Sequence, residues 1–365
     1  MHYRNVRTQH VGGRLSGEGG GGSSTVRVFV DGFLGPRDEY EVLARPGYDV
    51  VFGRSFAECL ERPYTEKELG ELCRAADAFV YSTADTVSRA VLAQAEHLRI
   101  VTGPFIGSDQ VDVVAATELS ILVANSPSEE NARGMAEATV GLMVALMKRL
   151  RHNEAKLRGG GWGVREDRGD LLWDRTVGLL GLGRIGRMIV ARMQGWGVHL
   201  IAHDPYVSVE EADRLGVRMV DLTTLCAESD VLSLHAVATD ETRGIIGREE
   251  LALMKPTAFL INVARGELVD ELALAEALDE CRIAGAALDT YLQEPLPLDS
   301  PLRSIPPDRL IMTPHIVGHS ERGRKANLRV CLGNVEAALS GVVPENVVNP
   351  EVITRWVAVF GSQEA

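Results

Sequence analysis

Three short segments in the last third of the chain carry side chains suited to proton and hydride chemistry on a small acid. They are Ile261-Asn262-Val263-Ala264-Arg265-Gly266, Asp289-Thr290-Tyr291-Leu292-Gln293-Glu294-Pro295 and Thr313-Pro314-His315-Ile316-Val317-Gly318. Reducing a 2-keto acid takes a cation for the carboxylate, an acid for the carbonyl oxygen, and a partner that fixes the acid's tautomer and charge. Arg265, His315 and Glu294 supply one of each. In this scheme protonated His315 donates to the carbonyl oxygen as hydride arrives, and Glu294 raises the histidine's pKa by favouring imidazolium. Oxidation of the hydroxy acid needs the same ring neutral. Each residue also has an ordinary alternative: Arg265 as a surface ion pair, Glu294 as a solvated loop charge, His315 as a capped loop histidine, Asp289 as a strand-end turn residue.

A second cluster lies upstream. Gly181-Leu182-Gly183-Arg184-Ile185-Gly186 follows the apolar run Thr176–Leu180 and opens the helical pattern Arg184–Met193, the context in which a GxGxxG pattern carries meaning. Gly181 permits a tight turn, Gly183 lets backbone N–H groups approach a pyrophosphate, and Gly186 allows close helix–strand packing. Asp204 ends the next strand, 18 residues beyond Gly186. A carboxylate there accepts from the adenosine ribose hydroxyls and repels a 2′-phosphate, so the set predicts NAD over NADP.

Other polar residues give weaker signals. His235 ends a strand and competes with His315 as the acid, but without a paired carboxylate segment it is expected to line the cofactor pocket. His315 and His319 are four apart, yet Pro314 and Gly318 argue against a helix there, and no metal is expected. The five cysteines are scattered without a CxxC pattern, so neither disulfides nor structural zinc are expected. Met143 and Met147 read as core or subunit interface.

The elements that must position these residues alternate. Val26–Val30, Asp49–Phe52, Ala78–Tyr81, Arg99–Thr102 and Ile121–Ala124 read as strands with amphipathic stretches between most of them. After a long helix through Ala136–Leu150 and a Gly-rich charged stretch, strands resume at Val177–Leu180, Val198–His203, Val231–Leu234, Ala258–Val263, Ala284–Leu288 and Leu310–Thr313. This predicts an α/β protein with two doubly wound parallel-sheet domains. Helix Arg322–Leu339 leaves too little chain for a third domain and is expected to pack back on the first. The expected boundaries are a disordered leader over 1–24, a discontinuous substrate domain over 25–126 and 319–350, a cofactor domain over 127–318, and a tail over 351–365.

Composition narrows the function classes. The 365 residues carry 38 Lys plus Arg against 51 Asp plus Glu, a formal net charge of -13, which disfavours nucleic acid and anionic lipid as main partners. No apolar run reaches the length of a membrane span, and cysteines that are odd in number and scattered suit a reducing cytoplasm.

The glycine fingerprint, Asp204-Pro205-Tyr206, the Arg265 segment, Glu294-Pro295 and Thr313-Pro314-His315, in that order, resemble the D-isomer-specific 2-hydroxyacid dehydrogenases over about Val26–Pro350. The resemblance implies a Rossmann NAD-binding domain inserted in a flavodoxin-like substrate domain, and a homodimer contacting through Ala136–Leu150 and Arg158–Trp173. It implies that Arg265 grips the substrate carboxylate and carbonyl, that His315 is the acid/base, and that Glu294 is hydrogen-bonded to it. NAD contacts are implied at Gly181, Gly183, Arg184, Ile185, Gly186 and Asp204. Further contacts are implied at His235, Ala264, Asp289, His315 and Gly318, with Asp289 near the nicotinamide carboxamide. Ser82 and the backbone of Ile106 and Gly107 would meet the substrate.

Departures from the family pattern bear on the substrate. Ser82 stands where phosphoglycerate dehydrogenases hold an arginine, and Phe105 replaces the glycine that often precedes Ile106, so the ring is expected to narrow the pocket. Val237-Ala238 replaces a common Pro-Leu pair. Short unphosphorylated acids such as glyoxylate or hydroxypyruvate are therefore expected. The alternatives are a phosphoglycerate dehydrogenase-like enzyme and an NAD-sensing corepressor-like binding protein. A formate dehydrogenase is disfavoured because Pro295 fixes the register that puts Glu294, not Gln293, opposite the histidine.

Overall fold

Val- and Ile-rich runs with no polar alternation are buried on both faces, which is the environment of a parallel strand between helix layers. A computed structural model describes residues 25–362 and the backbone of residues 14–16, and the apolar runs form two such sheets within it. The chain divides into two units: residues up to Glu129 with those from Glu321 onward, and Glu130–Ser320. The expected breaks were 126/127 and 318/319.

In the first unit the strands are β1 (Arg14–Ser16), β2 (Val26–Val30), β3 (Tyr48–Phe52), β4 (Ala78–Val80), β5 (Ile100–Thr102) and β6 (Leu122–Ala124), ordered β1-β3-β2-β4-β5-β6. From β3 to β6 this is the flavodoxin-like order, all parallel. β1 lies within the expected leader and pairs antiparallel with β3; the rest of 1–24 falls outside the described residues. Helix Glu321–Leu339 returns to this unit and buries Leu328, Cys331, Leu332 and Val335 in its core.

The expected tail needs correcting. After Pro350 the chain forms helix Ile353–Phe360, Trp356 is wholly buried, and its Nε1–H donates to the Arg99 carbonyl at 2.9 Å. Pro350 starts a helical turn here instead of closing the domain. Truncating such a tryptophan to alanine costs about 3–5 kcal/mol.

The second unit holds β7 (Thr176–Leu180), β8 (His199–His203), β9 (Arg218–Met219), β10 (Val231–Leu234), β11 (Phe259–Asn262), β12 (Gly285–Leu288) and β13 (Leu310–Met312). The order β13-β12-β11-β10-β7-β8-β9, all parallel, is the Rossmann winding with one strand added. β9 has only two residues, too few to show a period in sequence. The helix expected over Ala136–Leu150 runs Glu129–Met147, because its polar first two turns hide from an apolar count. It stops before Arg149, whose φ of 49° lies in the left-handed region. Met143 and Met147 are core, as expected. No described helix is long and apolar enough to cross a membrane.

Candidate active site

The glycine turn connects β7 to helix Arg184–Met193. Gly181 has φ of 97°, and a Cβ there would stand 2.8 Å from the His235 carbonyl carbon, so both its conformation and the approach of the neighbouring strand end demand glycine. A Cβ on Gly186 would lie 2.5 Å from the Gly181 oxygen. Gly183, at the N-cap, faces open space within 4 Å of where its Cβ would be, leaving backbone and helix N-terminus accessible to an anion. Arg184 and Ile185 form the first turn. Asp204 follows β8, and its two oxygens accept from Leu182 N–H at 2.8 Å and Tyr206 N–H at 2.9 Å. Each oxygen keeps a lone pair for a ribose hydroxyl, so these residues fit the adenosine half of a dinucleotide.

Three neighbouring strand ends carry the other groups. At the end of β11, buried Asn262 clamps the turn that follows: Nδ2 donates to the Arg265 carbonyl at 2.7 Å and Oδ1 accepts from Ala264 N–H at 3.1 Å. This turn projects Arg265, whose Nη1 donates to the Ala264 carbonyl at 2.8 Å. Past β12, Glu294 Oε1 accepts from Tyr291 N–H at 3.0 Å, and the Tyr291 hydroxyl donates to the Thr313 carbonyl at 2.9 Å, joining this loop to the next. The Glu294–Pro295 peptide is cis. Past β13, His315 Nδ1 meets Glu294 Oε2 at 2.7 Å, which leaves Nε2 as the ring's working nitrogen.

His315 has φ of 52°, a conformation non-glycine residues rarely hold, so the loop must be held from outside. Asp289 does this. It is 1% exposed, and its carboxylate takes the Thr313 hydroxyl at 2.6 Å, the Ile316 N–H at 2.9 Å and the Val317 N–H at 3.2 Å. Gly318 continues the loop beneath helix Glu129–Met147, where a Cβ on Gly134 would sit 2.3 Å from the Gly318 oxygen.

The charges agree with the geometry. The Glu294 hydrogen bond raises the His315 pKa above the ordinary 6.5, against the effect of burial and of the Arg265 charge. Burial pushes Glu294 up, but the His315 bond, the Tyr291 N–H and the His315 and Arg265 charges outweigh it and hold this carboxyl below its ordinary value. The fields of all three residues therefore overlap. His235 directly follows β10, with Nε2 2.8 Å from the Ser233 hydroxyl, and burial draws its pKa down to about 3.

In the first unit Ser82 is 4% exposed, with its hydroxyl on Asp85 at 2.8 Å, and a Cβ on Gly32 would collide with its side chain. Asn125 Nδ2 donates to the Ile106 carbonyl at 3.1 Å and the Tyr81 hydroxyl to the Gly107 carbonyl at 3.4 Å. Phe105, whose ring was expected to narrow the pocket, is half-buried and packs within its own unit. Its ring lies edge-on to Tyr81 at 5.1 Å and covers Gly103, drawn in by the aromatic contact. Sequence reading passed over Asn262, Tyr291 and Thr313 as functional parts. All three sit inside segments already singled out, but their hydrogen bonds only the fold reveals. Glu271, whose Oε1 takes the Leu292 N–H at 2.5 Å and whose pKa is raised by burial, gave no signal.

A glycine turn against an acidic strand end, on a sheet wound in this order, defines a dinucleotide-binding α/β protein. Residues 140–317 match the family model for the NAD binding domain of the D-isomer specific 2-hydroxyacid dehydrogenases. The chain is 41% identical over 286 residues to D-3-phosphoglycerate dehydrogenase of Methanocaldococcus jannaschii, covering 78% of this chain and 54% of that one. It is 35% identical over 297 residues to glyoxylate reductase of Korarchaeum cryptofilum, covering 80% and 89%. A solved protein of Thermus thermophilus superposes with a TM-score of 0.78 at 31% identity, covering 88% of this chain and 100% of that one. The chain belongs to the D-isomer specific 2-hydroxyacid dehydrogenase family, and its second unit is that family's NAD-binding domain. It spans about half the length of the phosphoglycerate dehydrogenases it matches.

Proposed function

We propose that this chain is an NAD-dependent D-2-hydroxyacid dehydrogenase acting on a short, unphosphorylated 2-keto or 2-hydroxy acid of the glyoxylate or hydroxypyruvate type. The observation that carries the reading is the His315–Glu294 pair, 2.7 Å apart and coupled in charge to Arg265, at strand ends of the sheet that bears the glycine turn. Bound NADH supplies the hydride. Arg265 binds and orients the substrate carboxylate, a planar fork on a planar anion. His315 holds a proton on Nε2 for the carbonyl oxygen, and Glu294 stabilises the imidazolium that carries it. His235, neutral at working pH, lines the cofactor side.

Ser82, Ile106 and Gly107 belong to the proposal as substrate contacts of the first unit. The preference against a phosphate now rests on Ser82 alone, since Phe105 is folded inward. In place of a guanidinium, this position carries a hydroxyl bonded to a carboxylate, which disfavours a dianion. A second reading, 3-phosphoglycerate oxidation, is favoured by the names of several relatives. Comparing hydroxypyruvate with its 3-phosphorylated form under saturating NADH decides between them. A higher kcat/KM for hydroxypyruvate is expected, and the reverse ranking removes the unphosphorylated assignment.

A homodimer is part of the same reading. Leu150, Leu157, Trp162, Val164, Leu171 and Trp173 are all exposed in one stretch of the second unit, apolar area of the kind that subunit contacts cover. Sedimentation at micromolar concentration is expected to show a dimer.

A further inference from the structure

We propose that Asp31, Cys59 and Asp85 form a site for one borderline-soft divalent cation of the Zn²⁺ class. The site lies wholly within the first unit and does not depend on the dehydrogenase reading.

The three residues are far apart in sequence and converge through the fold. Asp31 directly follows β2, and Asp85 lies in the turn after β4. These strands are neighbours in the sheet, and the winding reverses between them, so their carboxyl ends flank the crevice where open α/β sheets bind ligands. Cys59 comes from helix Phe56–Glu61, whose start is fixed by the Ser55–Glu58 capping box. One ligand atom from each residue lies within 4.8 Å of the others. Ligand atoms around a tetrahedral zinc stand about 3.3–3.8 Å apart, so a small closure of side chains completes three positions.

The hydrogen bonds point the same way. Asp31 is 1% exposed, Cys59 0% and Asp85 4%. Asp31 Oδ1 accepts from Arg54 N–H at 2.9 Å, and Oδ2 accepts from the Cys59 thiol at 3.2 Å. Asp85 Oδ2 takes both the Ser82 N–H and its hydroxyl, at 3.0 and 2.8 Å, while Oδ1 is buried and no N–H or neutral O–H among the described residues reaches it; the Asp85 carboxyl lies within hydrogen-bonding reach of the Asp31 carboxyl. Every donor to this pair of carboxyls is neutral. Two buried carboxyls facing one another without a cationic partner require a positive charge between them, either a shared proton or a metal ion.

The exchange balances. With one proton on the carboxyl pair and one on the thiol, the cluster carries a net charge of minus one. A divalent ion that displaces both protons to solvent, forming bonds to two carboxylate oxygens and the thiolate, leaves that charge unchanged. The interior therefore accepts the ion without added charge.

The test uses the full chain carrying Cys281→Ser, which removes the exposed thiol, titrated with Co²⁺ as a spectroscopic stand-in for Zn²⁺. The expected result is thiolate-to-cobalt charge-transfer absorption saturating at one equivalent. About two protons should be released per ion, and Zn²⁺ should displace the signal. Adding Cys59→Ser should abolish the band, and adding Asp85→Asn should weaken binding at least about tenfold, with circular dichroism checking that each variant folds. Should Cys59→Ser not fold, Asp85→Asn carries the test, and unchanged binding there overturns the proposal. Absence of a one-equivalent band in the parent, or a band that survives Cys59→Ser, overturns it as well and leaves a shared proton as the cluster's only cation.

Discussion

His235 and His315 stand at the carboxyl ends of two strands of one sheet, and their surroundings shift their pKa values in opposite directions. His235 has a serine hydroxyl at 2.8 Å and is held neutral by burial, its pKa near 3. His315 is half exposed, faces a carboxylate at 2.7 Å and is raised above 6.5. Burial opposes imidazolium in both cases, and only the second has a charge that outweighs it. The residue type thus marks a candidate acid, while the partner decides in which direction its pKa moves.

Replacing His315 with Asn should have the largest effect. Turnover should fall about 10²–10⁴-fold with NADH titration little changed, as expected when an acid–base group is lost and cofactor binding is kept. Survival of activity within twofold would transfer the role to His235 and reverse the comparison.

Arg265→Lys comes next. Hydrogen bonds to charged groups contribute about 1.5–3 kcal/mol, so losing part of the fork should lower kcat/KM for the keto acid about 10–150-fold, through both a higher KM and slower turnover. Wild-type kinetics would remove Arg265 from the substrate.

Glu294→Gln sharpens the comparison through pH. Reduction needs imidazolium, so wild-type activity should decline as pH rises through the elevated His315 pKa, and the variant should decline at lower pH. The same pair contributes to stability in a window. The His315 part is complete below its unfolded value of 6.5 and lost as pH rises through the folded one. The Glu294 part is complete above its unfolded value of 4.5 and lost as pH falls through the folded one. An activity profile unmoved by Glu294→Gln would show that this carboxylate does not set the proton state.

The smallest effect is expected from His235→Asn. It removes about one neutral hydrogen bond, worth about 1 kcal/mol, so turnover should drop no more than about fivefold with the pH profile in place. A displaced profile would show that His235 titrates in the working range after all.

What could be read from sequence was local. The run of Thr176–Leu180, the three glycines and Asp204 lie within one strand–helix–strand unit, where conformation and spacing fix their relation. Arg265, Glu294 and His315 follow successive strands of a parallel sheet, so alternation alone brings their segments to one edge. Tertiary structure decided what depends on partners distant in the chain. Asp289 anchors residues 313–317 through its carboxylate, and a strand-end aspartate looks the same in sequence whether or not it does so. Trp356 belongs to the core because Arg99 and helix Glu321–Leu339 are there to receive it, not because of the residues beside it. Phe105 turns inward because Tyr81 offers an edge. Asp31, Cys59 and Asp85 have no ligand spacing in sequence, and they meet only because β2 and β4 become neighbours when the sheet is wound. Short-range sterics are written in adjacent residues, whereas burial and charge pairing depend on which distant segments the fold brings into contact.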